Sequence, residues 1–219
     1  MTREVLKEPI FAKEIVEITR FSHSIDEMKE KLKDYHENDI AQSLKYLNRA
    51  ERNLLYSAID AKWMAEIISY IDDPGQYVEE IGIDKLAEII NEMDADDAVD
   101  LWEDIDESVK VKLRTMIDDE IRTDIQLINS YDEDEIGSRM TTNCIMIREN
   151  LTVKQAMSSL VEQAAKNDNI STLFMVTEDN TFYGAMDLKD LIIARRESPL
   201  EDLIATSYPY VYGNELIDD

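Results

Sequence analysis

The residues best suited to chemistry in this chain are acids. The run Asp94-Ala-Asp-Asp-Ala-Val-Asp100 sets Asp96 and Asp100 four residues apart. On a helix that starts near Asp94, that spacing puts both carboxylates on one side. Asp97 and Asp104 flank the same stripe. Carboxylate oxygens are hard donors, and a small hard divalent cation that keeps several of its waters is held by one or two of them. Like charges at this spacing oppose each other by roughly a few tenths of a kcal/mol per pair. A bound cation would remove that opposition, and the positive end of the helix dipole offsets part of it without one. A solvated acidic face, with its acids well placed in a first helical turn, is the other reading.

Other reactive residue types are isolated. His23 and His36 have no cysteine or histidine at zinc-binding spacing, which places them at the surface. Cys144 falls in an expected strand without a catalytic signature and reads as buried and inert. The sequence has neither a glycine-rich phosphate loop nor a Gly-x-Ser-x-Gly elbow, so an enzyme is not expected. The ten methionines fall mostly at apolar helical positions, which is packing. Trp63 and Trp102 stand at repeat-related places and read as core or groove residues.

These residues need elements to hold them, and 219 residues with 44% apolar side chains suffice for one large domain or two modest ones. Only five glycines and four prolines favour helices with short connections. The 49 acids against 23 bases leave a net charge of −26. Such a chain lacks the clustered Lys and Arg that grip nucleic-acid phosphates or an anionic lipid surface. One cysteine excludes an internal disulfide, and suits a reducing compartment. No apolar run is long enough to span a bilayer, and no basic-then-apolar leader opens the sequence. Residues 1–136 carry 36 acids and 16 bases, net −20, while 137–219 carry 13 and 7. Short β-type stretches appear only after Gly137, which sets an expected domain boundary near 130–137.

The first part repeats. In segments 39–60, 63–84 and 85–106, the second, third, sixth and ninth positions read Ile40, Ala41, Leu44, Leu47, then Met64, Ala65, Ile68, Ile71, then Leu86, Ala87, Ile90, Met93. Each segment ends on Ile-Asp: Ile59-Asp60, Ile83-Asp84, Ile105-Asp106. Spacing of three and four marks one helix face. A polar break in each middle (Asn48, Asp72-Asp73-Pro74-Gly75, Asp94) can cap a second short helix. A helix pair cannot bury its apolar face alone, so the copies are expected to stack as a superhelix.

The second part reads as a compact β-α-β-β-α module. Its expected elements are strand Cys144–Arg148, a helix capped by Thr152, strand Leu173–Val176, a turn at Glu178–Thr181, strand Phe182–Met186 and helix Leu188–Arg195. The fold class is thus an α-helical superhelical repeat domain followed by a small α/β module.

That module resembles a CBS motif. The signature elements are Met140-Thr141, then Thr152-Val153 with Ala156-Met157, then Gly184-Ala-Met-Asp-Leu-Lys-Asp190, with Asp187 where the family usually has Ser or Thr. A second motif starts at Ile204, runs through a strand-like Tyr208–Tyr212 and stops at Asp219. The junction Tyr131-Asp-Glu-Asp-Glu-Ile-Gly-Ser-Arg-Met140, together with the acidic helix pairs before it, is similar to the N domain and linker of MgtE-type magnesium transporters.

The resemblance implies an N-type domain at 1–136, a first CBS motif at 137–203 and the start of a second, truncated one at 204–219. It implies a cytosolic magnesium-sensing and gating part of a transporter, on the cytoplasmic side of the membrane. Its partners would be a membrane pore domain of the same polypeptide and a second copy, as a homodimer through the CBS motifs. Positions matching Asp96 and Asp100 take part there in binding Mg2+ between the N and CBS domains, and Glu66 matches a further acidic position. The resemblance also implies an adenine nucleotide in the CBS cleft, with Asp190 toward the ribose hydroxyls and Lys189 toward phosphate; Asp187 would oppose a phosphate there. The rival reading is a protein-interaction scaffold like the stacked helices of flagellar rotor proteins, or a stand-alone CBS nucleotide sensor.

Overall fold

A computed structural model describes residues 10–165, 167, 169–195 and 198–218. The chain divides into two compact units between Leu127 and Ile128.

The first unit is helical. Its elements are α1 (Ile10–Phe21), α2 (Ile25–Leu32), α3 (Glu37–Ser43), α4 (Arg49–Ala58), α5 (Ala61–Ile68), α6 (Gly75–Val78), α7 (Ile83–Asn91), α8 (Ala95–Asp104) and α9 (Glu107–Leu113). The chain then enters α10 (Asp119–Ile128), in which the division falls. Alternate helices stack: α1 on α3, α3 on α5, α5 on α7 and α7 on α9. This is the repeat read from the sequence. Of its twelve key positions, eleven are buried and Ile71 is half-buried. Burial of one stripe per helix drives the stacking.

Capping sets where each helix begins. Asn48 caps α4 through its Oδ1, which accepts from the amides of Ala50 and Glu51, and the Glu51 carboxylate accepts from the Asn48 amide in return. Asp60 caps α5 by accepting from the Trp63 amide at 3.1 Å. The Ile-Asp pairs are not equivalent, however. Asp60 and Asp106 occupy N-cap positions, whereas Ile83-Asp84 lies inside α7, which starts from Gly82. The middle copy is also the one whose second helix, α6, is a single turn.

Cations tie neighbouring copies together. Arg52 of α4 makes paired bonds to Glu80 at 2.8 and 2.6 Å, donates to the Leu47 carbonyl at 2.5 Å and stacks on the Tyr77 ring. Lys85 of α7 donates to the carbonyls of Tyr56 and Ile59, at the C-terminal end of α4.

The second unit contains a three-stranded sheet in the order β1 (Ile145–Arg148), β2 (Thr172–Val176), β3 (Phe182–Asp187). β1 and β2 run parallel, and β2 and β3 form an antiparallel hairpin. The crossover helix α11 (Val153–Gln163) begins at Thr152, which forms a capping box with Gln155. At the hairpin, Asn180 takes the left-handed conformation at φ 63°, which asparagine tolerates. α12 (Leu188–Ile193) follows β3. Ile145 and Ile147 point inward from β1 to a core shared with Ala156, Leu160, Leu173, Met175 and Leu191, while Met146 faces out.

Two expectations fail in this unit. Cys144 is half-buried and precedes the strand rather than lying within it. The stretch 208–212 joins no strand ladder: Tyr208 and Tyr210 instead lay their rings against Phe174 and Phe182 of the hairpin. Extended backbone becomes a strand only when a neighbour pairs with it.

Candidate functional site

The acids singled out in the sequence gather around α8. Asp96 and Asp97 occupy its first turn, and Asp100 stands one turn further on. Asp97 and Asp100 line a concavity of about 410 Å³ between the α5–α6 loop and α8. Asp72, Glu103 and Asp104 complete its acidic wall, and Ile68, Ile71, Pro74, Met93 and Leu101 form its apolar floor. Asp72 was legible in the sequence only as a polar break. It reaches the site because the α5–α6 loop of one copy faces the second helix of the next.

Electrostatics follow from this crowding. Burial pushes the Asp97 carboxyl up to about 6, and the charges of Asp96, Asp94 and Asp100 push the same way. Asp96 is half-buried, and its Oδ1 is shielded from solvent with no hydrogen-bond partner among the described residues. An orphaned carboxylate oxygen is costly unless something positive or a donor meets it.

The concavity does not unite every candidate. Glu66 sits on α5 with its side chain exposed and is not part of the concavity's wall, nor is Asp96. Among the described residues, no three His, Cys, Asp or Glu side chains are grouped so as to enclose a metal ion. The donor set suits a hydrated divalent cation held by one or two carboxylates, rather than a closed protein cage.

In the second unit, Asp190 lies half-buried in the first turn of α12, and Lys189 beside it is exposed. Asp187 stands at the N-cap of that helix without a side-chain capping bond.

Residues 35–134 match the family model of the MgtE intracellular N domain. Over 187 residues, 84% of this chain, the sequence is 35% identical to a magnesium transporter MgtE from Enterococcus faecalis. A solved structure described as the soluble part of a magnesium transporter superposes with a TM-score of 0.85 at 25% identity, covering 94% of this chain and 82% of that one. The chain carries an MgtE-type intracellular N domain. A second structure, the cytosolic domain of the Mg2+ channel MgtE in complex with ATP, shares the fold with a TM-score of 0.84 at 22% identity, covering 94% of this chain and 84% of that one.

The matched stretches span 18% to 41% of the curated MgtE relatives' own lengths, so the chain corresponds to less than half of each. No described helix is long and apolar enough to cross a membrane. The fold that holds the helical repeats and the small α/β module is shared with the soluble part of a magnesium transporter. The relatives that share that architecture are named as transporters, not as enzymes.

Proposed function

We propose that this chain is the magnesium-sensing regulatory part of a magnesium transporter, on the cytoplasmic side of the membrane, and that it favours a closed pore when Mg2+ is bound. It does no chemistry of its own. Asp96 and Asp100 supply carboxylate oxygens to a hydrated ion, and Glu66 supplies a further acidic position. The remaining ligands would come from elsewhere in the polypeptide or from water.

The observations that carry this reading are the acidic concavity lined by Asp97 and Asp100, and beside it on α8 the shielded Asp96 oxygen without a partner; burial first, and then the neighbouring acids, push the Asp97 carboxyl up. Repulsion of this kind opens a surface, and a divalent ion between two negative surfaces closes it. The ion shifts the population because it binds the closed arrangement better. The pore domain and a second copy, joined through the CBS-type modules, are the partners this reading requires.

Melting curves test it. Millimolar Mg2+ raises the melting temperature more than NaCl at matched ionic strength, because an ion that binds only the folded state adds stability by mass action. The double variant Asp96→Asn with Asp100→Asn loses most of that difference. Equal gains in both salts, or a double variant that responds as the parent does, would defeat the reading.

The nucleotide reading at Lys189 and Asp190 ranks second. Asp187 places a negative charge beside any phosphate there. Calorimetric titration with ATP, compared between the parent and Asp187→Ser, tests it through an affinity that rises in the variant.

A further inference from the structure

The segment that follows α10 is held by the far end of the second unit. Residues 134–137 and 213–217 run antiparallel. Ile136 donates its amide to the Glu215 carbonyl at 2.8 Å, Gly137 to the Gly213 carbonyl at 2.7 Å, and Ile217 to the Asp134 carbonyl at 2.9 Å. Glu135 and Leu216 bridge between these bonds. Each partner is shaped by the same small turn. Glu135 accepts from the Asp132 amide at 2.8 Å, and Glu215 accepts from the Tyr212 amide at 2.8 Å.

One ring fills the space between the two segments. A Cβ on Gly137 would meet the Tyr131 ring at 2.4 Å, and a Cβ on Gly213 would meet the far edge of the same ring at 2.7 Å. Neither glycine has a positive φ, so they are needed here for room and not for backbone freedom. The ring lies half-buried between two glycine backbones more than seventy residues apart in sequence.

We propose that Tyr131, Gly137 and Gly213 form a latch that locks the segment after α10 onto the tail of the α/β module, so that the two open and close together. The segment is then no free hinge, despite its four consecutive acids, Asp132 to Glu135. Any displacement of residues 213–217 is felt at residues 134–137 through three backbone bonds and one ring. The latch joins elements within the second unit and is independent of whether Mg2+ binds at α8.

Amide exchange tests the coupling in the full chain. Tyr131→Ala removes the ring and inserts nothing. It should speed exchange of the Ile136, Gly137 and Ile217 amides together by about tenfold or more, the factor equivalent to about 1.4 kcal/mol. The amides of α11 and β2 should keep their protection. Gly137→Ala should act in the same direction by forcing the ring out. In the Tyr131→Ala background, it should add little, because the methyl then has room. The proposal is overturned if exchange rises on one segment only, or if none of the three amides responds to Tyr131→Ala. It is also overturned if Gly137→Ala has its full effect without the ring. If Gly137→Ala alone fails to fold, Tyr131→Ala and the double variant still decide.

Discussion

The front of the helical unit and the α8 region treat their carboxylates in opposite ways. Residues 1–62 hold 12 acids and 11 bases, whereas residues 63–136 hold 24 acids and five bases. In the front region, the acids meet cations across and along helices. Lys31 and the His23 amide hold Glu27 down to about 2, Arg20 holds Glu51 low, and Lys29 holds Asp60 low. At α8, the carboxyls meet one another, and Asp97 is pushed up to about 6. One fold therefore contains charges that favour the folded state and charges that oppose it, with one repeat between them. The first kind fixes structure. The second kind leaves the fold responsive to whatever supplies positive charge.

The largest expected effect lies where the two regions meet. The Arg52–Glu80 pair has side chains only 17% and 10% exposed and spans successive copies. Arg52→Ala leaves the largely buried Glu80 carboxylate without its bonded partner and removes a donor from the Leu47 carbonyl, which should cost about 3 kcal/mol in urea unfolding. Arg52→Ala combined with Glu80→Ala should cost less than Arg52→Ala alone. A double variant as unstable as the sum of both singles would show that the pair does not act as a unit.

Caps give the next step. Asn48→Ala in α4 and Thr152→Ala in α11 each remove a capping box and should cost about 1 kcal/mol. If the units melt separately, calorimetry should show Asn48→Ala lowering one transition and Thr152→Ala the other. A common shift of a single transition would show instead that the units unfold together.

The pH response separates the two regions directly. Asp97 has a folded-state value above its unfolded one, so between about pH 4 and 6 the folded state binds more protons. Its contribution therefore improves as pH falls through 6 and is lost as pH rises above it. Glu27, Glu51 and Asp60 have depressed values, so their contribution is present above the ordinary carboxylate range and is lost only as pH falls below it. Melting temperature should rise from pH 7.5 to 5.5 and then fall in stronger acid. Asp97→Asn should flatten the first limb and leave the second. An unchanged first limb would assign it to other groups.

The smallest effect is also the most specific to α8. Without divalent ions, Asp96→Asn with Asp100→Asn should leave stability unchanged or raise it by roughly a few tenths of a kcal/mol, by relief of like-charge repulsion. A clear loss would mean that these carboxylates already have stabilising partners.

Much of this was legible without coordinates. The spacing Ile40, Ala41, Leu44, Leu47 and its two copies announced stacked helix pairs, since an apolar stripe at helical period has to be buried against something. Asn48 and Thr152 announced helix starts, because a short polar side chain before an apolar run satisfies orphan amides locally, whereas Asp60 was legible only as the close of a repeat. The element order β-α-β-β-α, with a tight hairpin between the last two strands, was legible too. The acids of α8 were visible as a cluster, but it is Asp97 and Asp100, rather than Asp96 and Asp100, that line the concavity.

Tertiary structure alone decided the rest, because those features depend on distance through space. Asp72 joins Asp97 and Asp100 only because one copy's loop faces the next copy's second helix. Arg52 meets Glu80 across 28 residues, a pairing that no local pattern encodes. The slip of Ile83-Asp84 into α7 follows from the single-turn α6 before it. Cys144 and the stretch 208–212 have strand-like composition, but strand formation also requires a neighbouring backbone with free donors and acceptors. Gly137 and Gly213 look like ordinary loop glycines until the Tyr131 ring lies between them. Sequence fixed the elements whose causes act within a few residues. Folding fixed which side chains stand near one another, and that decides where charge is relieved and where it is left unbalanced.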